Sequence, residues 1–143
     1  CKYTNLLPRW ASDNHKKSNK PLITLVTGAP GAGKSWIAKQ LDTNKWNVVD
    51  SDLVPKKELV GRCISNLPTV LFLTVGVSTF MKDDRFHYDL IVIDESIETL
   101  KSRVISRGGK VTPTIERRHK RMQSLKTKAK FMGQSQEVVN YLK

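Results

Sequence analysis

Apolar residues are not spread evenly along this chain; they gather in four short runs. These are Leu22-Ile23-Thr24-Leu25-Val26-Thr27, Trp46-Asn47-Val48-Val49, Thr69 to Val75, and Asp89-Leu90-Ile91-Val92-Ile93-Asp94-Glu95. Each is short, rich in β-branched residues and nearly continuous rather than alternating, as expected of strands covered on both faces of a parallel sheet. Between them lie segments with helical spacing: Trp36 to Leu41, Pro55 to Cys63, a stretch from Ile97 to a break at Gly108-Gly109, and another from Thr112-Pro113 to Gly133. Phe80 to Tyr88 reads as a compact polar crossover in which His87 is structural, and Val138 to Lys143 as a short tail element. Strand and helix alternate, which predicts an α/β domain with a mostly parallel central sheet flanked by helices.

Residues 1–20 carry Pro8 and the polar, basic run Asp13 to Lys20, including His15, without periodicity. They are expected to be an irregular basic lead-in, with one domain over residues 21–143. The apolar run from Val70 to Val77 is far too short to cross a bilayer, and no secretory leader opens the chain, so a membrane partner is not expected. Two cysteines, Cys1 and Cys63, make no disulfide or metal framework, which points to a reducing, cytoplasmic setting. Beginning on Cys1 rather than Met suggests an excised part of something longer.

Charge changes the picture. Twenty-five Lys and Arg against thirteen Asp and Glu give a net charge of +12 over 143 residues, and such an excess favours a polyanionic partner, nucleic acid first. It is concentrated: between Lys101 and Lys130 there are eleven cations and one anion, Glu116.

The chemistry begins at the end of the first run. Gly28-Ala29-Pro30-Gly31-Ala32-Gly33-Lys34-Ser35 satisfies the phosphate-loop pattern G-x-x-x-x-G-K-[ST] at every fixed position, between a strand and a helix. Glycines there let backbone N–H groups turn onto phosphate oxygens, and the helix that follows points its positive end at the same place. Lys34 is expected on the β- and γ-phosphates and the Ser35 hydroxyl on Mg²⁺, with Trp36 beside the nucleotide. The implied cofactors are ATP or GTP and Mg²⁺.

Two further strand ends carry acids. Asp50-Ser51-Asp52 follows the second run, where a carboxylate can take the proton of an attacking hydroxyl; a helix cap supplied by Ser51 or Asp52 is the alternative. Asp94-Glu95 follows the fourth, as in a Walker B element, with Asp94 a Mg²⁺ ligand; a cap at Ser96 explains the same residues. Beyond them Arg103 and Arg107, four apart on one helix face, precede the glycine break and a second basic helix. Together these predict a basic helical lid over about residues 101–130 whose arginines neutralise charge on the phosphates. The lysines from Lys126 onward read as a solvated face.

Taken in order, the loop, the strand ending in Asp-x-Asp, the strand ending in Asp, and Leu100-x-x-Arg103-x-x-x-Arg107-Gly108-x-Lys110-x-x-Pro113 resemble P-loop kinases, above all the kinase half of phage-type 5′-polynucleotide kinases. The resemblance covers roughly Leu22 to Lys130. It implies a polynucleotide 5′-kinase, with Asp52 as general base toward a nucleic-acid 5′-hydroxyl, Lys34 and Ser35 on the phosphates and metal, and Arg107 and Arg103 clamping the donor. Where such enzymes place acceptor-binding arginines, this chain has Ser51 and Pro55, with Lys56 and Lys57 just beyond. A (deoxy)nucleoside monophosphate therefore stands as the second acceptor. A further resemblance, through Leu53-Val54-Pro55-Lys56-Lys57, Thr74-x-x-x-Ser78-Thr79-Phe80 and Ile93-Asp94-Glu95, is to the first half of viral superfamily 1 RNA helicases. It implies a nucleic-acid-stimulated NTPase lobe in a host cytoplasm, with Glu95 as hydrolytic base. A nucleotide-binding domain that only docks nucleic acid is the non-catalytic reading.

Overall fold

A computed structural model describes residues 20–29, 31–74 and 76–143; the basic lead-in with His15, Pro30 and Val75 lie outside the described residues. The chain runs β1 (Leu22–Thr27), α1 (Lys34–Gln40), β2 (Asn47–Asp50), a 3-10 turn (Lys56–Glu58) into α2 (Leu59–Arg62), then β3 (Thr69–Phe72) and α3 (Val77–Phe80). It continues with β4 (His87–Ile93), α4 (Ile97–Ser106), α5 (Pro113–Ser124), a 3-10 turn (Lys126–Lys128), β5 (Phe131–Gly133) and α6 (Ser135–Leu142).

The sheet has five strands in the order β2-β3-β1-β4-β5, and every pairing is parallel. In-register pairs such as Leu25 with Leu71 and with Leu90 place the central apolar residues side by side. Ile23, Leu25, Val26, Val70, Leu71 and Val92 are wholly buried. That is why the runs lack polar alternation: helices cover both faces. On one side of β1 the chain proceeds to β3 and β2, on the other to β4 and β5. A crevice therefore opens at the carboxyl end of β1, where open parallel sheets hold ligands. The phosphate loop, Asp50 to Asp52, Thr74 and Asp94-Glu95 all leave the sheet at this edge.

Three local expectations change. The last basic segment is not one helix ending at Gly133: α5 stops at Ser124, and Phe131–Gly133 forms a fifth strand paired with Ile91–Ile93. Three residues are too few to show a strand's period in sequence, and the backbone of β4 supplies what the local pattern lacks. The tail element is longer than expected. Phe131 stacks on Tyr141 at a centroid distance of 4.3 Å, and Val138 and Val139 are buried, fixing α6 beside α1 and β5. The 80–88 crossover is packed rather than merely polar. Phe80, Phe86 and Tyr88 form an aromatic cluster, and the Tyr88 hydroxyl donates to the Phe80 and Asp83 carbonyls at 2.9 and 3.0 Å. β4 accordingly begins two residues early, at His87.

Candidate active site

The phosphate loop is shaped by two left-handed residues. Gly31 has φ 86° and Gly33, which caps α1, has φ 102°; side chains at either position would be strained. Space is short as well, since a Cβ on Gly28 would sit 2.9 Å from the Ala32 Cβ. The backbone thus comes close enough to approach a phosphate, which is the fit a nucleotide requires.

Lys34 opens α1 and turns back over the loop, its Nζ donating to the carbonyls of Gly28 at 2.8 Å and Ala29 at 3.2 Å. Burial pushes its ammonium down to about 8, aided by the charges of Arg107 and Arg118 and opposed by Asp52 and Asp50. A lysine held this way gains from any anion brought to it. Asp52 is the acid whose charge acts most on it.

A cavity of about 630 Å³ joins these groups: Gly31, Gly33, Lys34, Ser35, Trp36, Lys39, Asp52, Thr74 and Arg107 line it. The expected base, lysine, metal-ligating serine and one lid arginine therefore share one space. Asp52 is exposed there, while Asp50 accepts the Asp52 backbone N–H at 3.0 Å in a turn that aims residue 52 outward. No helix begins at Leu53, so neither Ser51 nor Asp52 serves as a helix cap. Asp52 and Thr74 also border a second cavity of about 420 Å³, lined by Val54, Lys56, Leu59, Leu73 and Phe80 among others. Sequence patterning gave no hint of this one, because its walls come from three elements.

The two arginines are not equivalent. Arg103 faces the back of the loop: its Nη1 donates to the Gly31 and Ala32 carbonyls at 3.0 and 3.1 Å. Its Nη2 pairs with the buried Glu95 carboxylate at 2.6 Å, which also accepts from the Ser135 hydroxyl at 3.4 Å. Arg107, just past α4, has no carboxylate partner among the described residues and borders the loop cavity. Both arginines line a neighbouring cavity of about 400 Å³ with Gly33, Trp36 and Ser135. Glu95 stands apart from the expected Walker B pair, committed to Arg103. Asp94 accepts from Gln123 Nε2 at 2.6 Å, so α5 is tied to the end of β4. Ser96 does cap α4, accepting from the Thr99 N–H at 3.1 Å.

No group of three or more His, Cys, Asp or Glu suited to a metal occurs among the described residues. Of the two expected Mg²⁺ ligands, Ser35 lines the loop cavity, whereas Asp94 is held by Gln123 and is not among that cavity's lining residues.

No protein-family model matches the chain, and no curated protein matches it in sequence. Solved structures do match in fold. The tunicamycin resistance protein of Deinococcus radiodurans superposes with a TM-score of 0.57 at 13% identity, over 86% of this chain and 93% of that one. A gluconokinase from Sinorhizobium meliloti 1021 gives 0.54 at 14% identity, over 85% and 89%. Shikimate kinase from Acinetobacter baumannii, solved with shikimate, gives 0.51 at 17% identity, over 89% and 93%. The architecture is thus an all-parallel α/β fold shared with a gluconokinase and a shikimate kinase.

Proposed function

We propose that this protein is a Mg²⁺-dependent phosphotransferase that moves the γ-phosphoryl group of ATP or GTP to the 5′-hydroxyl of a nucleic acid. The observation that carries this reading is the convergence of Lys34, Ser35, Asp52 and Arg107 on one cavity at the phosphate loop. The kinase fold supports phosphoryl transfer as the reaction class, and the charge of +12 favours a polyanionic acceptor. No helix among the described residues is long and apolar enough to cross a membrane.

Each group has a task. The N–H groups of the loop and the Lys34 ammonium would hold the donor's phosphates, and Ser35 with Asp94 would hold the metal. When bound, Mg²⁺ and the nucleotide supply the transferable phosphoryl group and the cation that offsets its charge. Asp52 accepts the acceptor hydroxyl's proton as the hydroxyl oxygen attacks the γ-phosphorus, and the bond from that phosphorus to the β–γ bridging oxygen breaks so that the nucleoside diphosphate leaves with the electron pair. Lys34 and Arg107 meet the negative charge that develops on the transferring oxygens. Arg103 does not reach out in this arrangement; it holds the loop that does.

A smaller acceptor is the second reading. Two of the fold neighbours are named for small-molecule acceptors, gluconate and shikimate. The largely apolar cavity beyond Asp52 suits one flat or compact molecule, such as the base of a nucleoside monophosphate. A helicase-like ATPase is weakened by Glu95, whose carboxylate is buried against Arg103 rather than turned to water. Asp52→Asn tests the core of the proposal. Transfer should fall at least about a hundredfold, the usual contribution of a general base, with nucleotide affinity little changed. Transfer at the parent rate would remove Asp52 from the mechanism.

A further inference from the structure

We propose that the arginine row of α5 (Arg117, Arg118 and Arg121) is a second phosphate site, on which the phosphodiester backbone of an acceptor strand lies while its 5′ end reaches Asp52. This deepens the reading above and rests on it.

Thr114, Arg117, Arg118 and Arg121 stand at i, i+3, i+4 and i+7, so they form one stripe along the helix. They line a groove of about 510 Å³. About a quarter-turn round from it, beside Arg118, Ile115 and Met122 are buried, which fixes the helix so that Arg117 and Arg121 face outward. Met122 accepts the Thr27 hydroxyl at 3.6 Å, holding α5 over the end of β1. Arg117 Nη2 donates to the Thr114 hydroxyl at 3.2 Å, so one guanidinium is already oriented. The only acid of α5, Glu116, is turned away and pairs with Lys101 of α4 at 2.9 Å. No carboxylate pairs with Arg117, Arg118 or Arg121 among the described residues. Like charges at such spacing repel one another, and an anion in the groove would relieve them.

The row also has a direction. Arg118 is half-buried while Arg117 and Arg121 are exposed, and the Arg118 charge acts on Lys34. Its inner end therefore sits toward the phosphate loop and the other arginines lead away from it. From Thr114 to Arg121 the helix rises about 10 Å. That is more than one phosphate needs and suits consecutive phosphates of a strand. The donor's phosphates already have Lys34, the loop and Arg107.

The test compares the parent with Arg117→Gln/Arg121→Gln, both exposed sites outside the proposed catalytic set. Binding of a fluorescent single-stranded 5′-hydroxyl oligonucleotide is followed by anisotropy between 50 and 200 mM salt, values spanning about the range where counterion release is resolved. Each phosphate contact on a single strand contributes about 0.7 to the slope of log K against log salt, so the double variant should lose about 1.4. Binding of ATP, and transfer to a mononucleotide if the parent shows it, should stay at parental level. An unchanged slope and affinity would overturn the row, as would parent protein that fails to bind the strand or prefers phosphatidylserine vesicles. Label transfer, read separately, distinguishes the two claims. Binding that depends on the row without transfer to the strand keeps the site and sinks the 5′-kinase. Transfer with binding indifferent to the row does the reverse.

Discussion

Replacing Arg103 by methionine is the sharpest perturbation of the phosphate loop. The change keeps length and apolar stem but removes the guanidinium that joins the Gly31 and Ala32 carbonyls to Glu95. The Glu95 side chain is 5% exposed, and the Arg103 side chain 35%. Removing one partner of a buried pair costs roughly 3–5 kcal/mol, because the other charge is left uncompensated. Water can enter where Arg103 stood, so about 3 kcal/mol is expected. For a chain of this size that is a loss of roughly 10 °C in melting temperature. Glu95→Gln should cost less, about 1 kcal/mol, since the half-buried guanidinium that remains can hydrate. In Arg103→Met/Glu95→Gln the buried charge is gone, and about 2 kcal/mol of the first loss should return as coupling. Denaturant melts of the three variants and the parent measure the cycle, with nucleotide affinity as a second readout. If Arg103 were chiefly a phosphate clamp, Arg103→Met would lose nucleotide affinity at nearly parental stability. Single-variant losses that simply add in the double would refute the brace.

Other outcomes follow from the same geometry. Lys34→Met should abolish transfer yet raise stability at pH 7, because a lysine lowered from 10.5 to about 8 is destabilising while charged. At about 1.4 kcal/mol per pH unit the gain is at most roughly 3.5 kcal/mol. The unfolded lysine binds a proton that the folded one has lost between pH 8 and 10.5, so parental stability rises across that window. The advantage of Lys34→Met should therefore shrink over it, and thermal melts from pH 7 to 10.5 check this. Arg107→Ala should lower the transfer rate on the order of a hundredfold or more, the worth of similar charge-stabilising groups. A loss below about tenfold in steady-state kinetics would make it a surface cation.

Much of the site was legible because its residues are close in sequence. The loop octet lies on eight consecutive positions, and its meaning depends on backbone turns that glycines announce. The strand runs were legible for the opposite reason: burial on both faces leaves an apolar signature that needs no partner to read. Arg103 shows where that stops. Its spacing from Arg107 implied a shared task, but the helix ends at Ser106, and Arg103 is drawn to the loop carbonyls and Glu95 while Arg107 borders the loop cavity. The contacts that redirect it, from Gly31 and Ala32, lie 72 and 71 residues away. Glu95 looked like half of a Walker B pair because sequence shows adjacency, not burial. β5 was missed because a three-residue edge strand is defined by the strand it joins. The cavity beyond Asp52 has no local signature at all, since Leu59 comes from α2, Leu73 from the loop after β3 and Phe80 from α3.

The central claim is tested most directly by following labelled γ-phosphate from ATP in the presence of a 5′-hydroxyl oligonucleotide, a panel of nucleoside monophosphates, and water alone. The account predicts label on the oligonucleotide 5′ end, lost in Asp52→Asn. Label on a mononucleotide alone would keep the site's chemistry and replace its acceptor. Free phosphate alone, released faster with single-stranded RNA, would contradict the account.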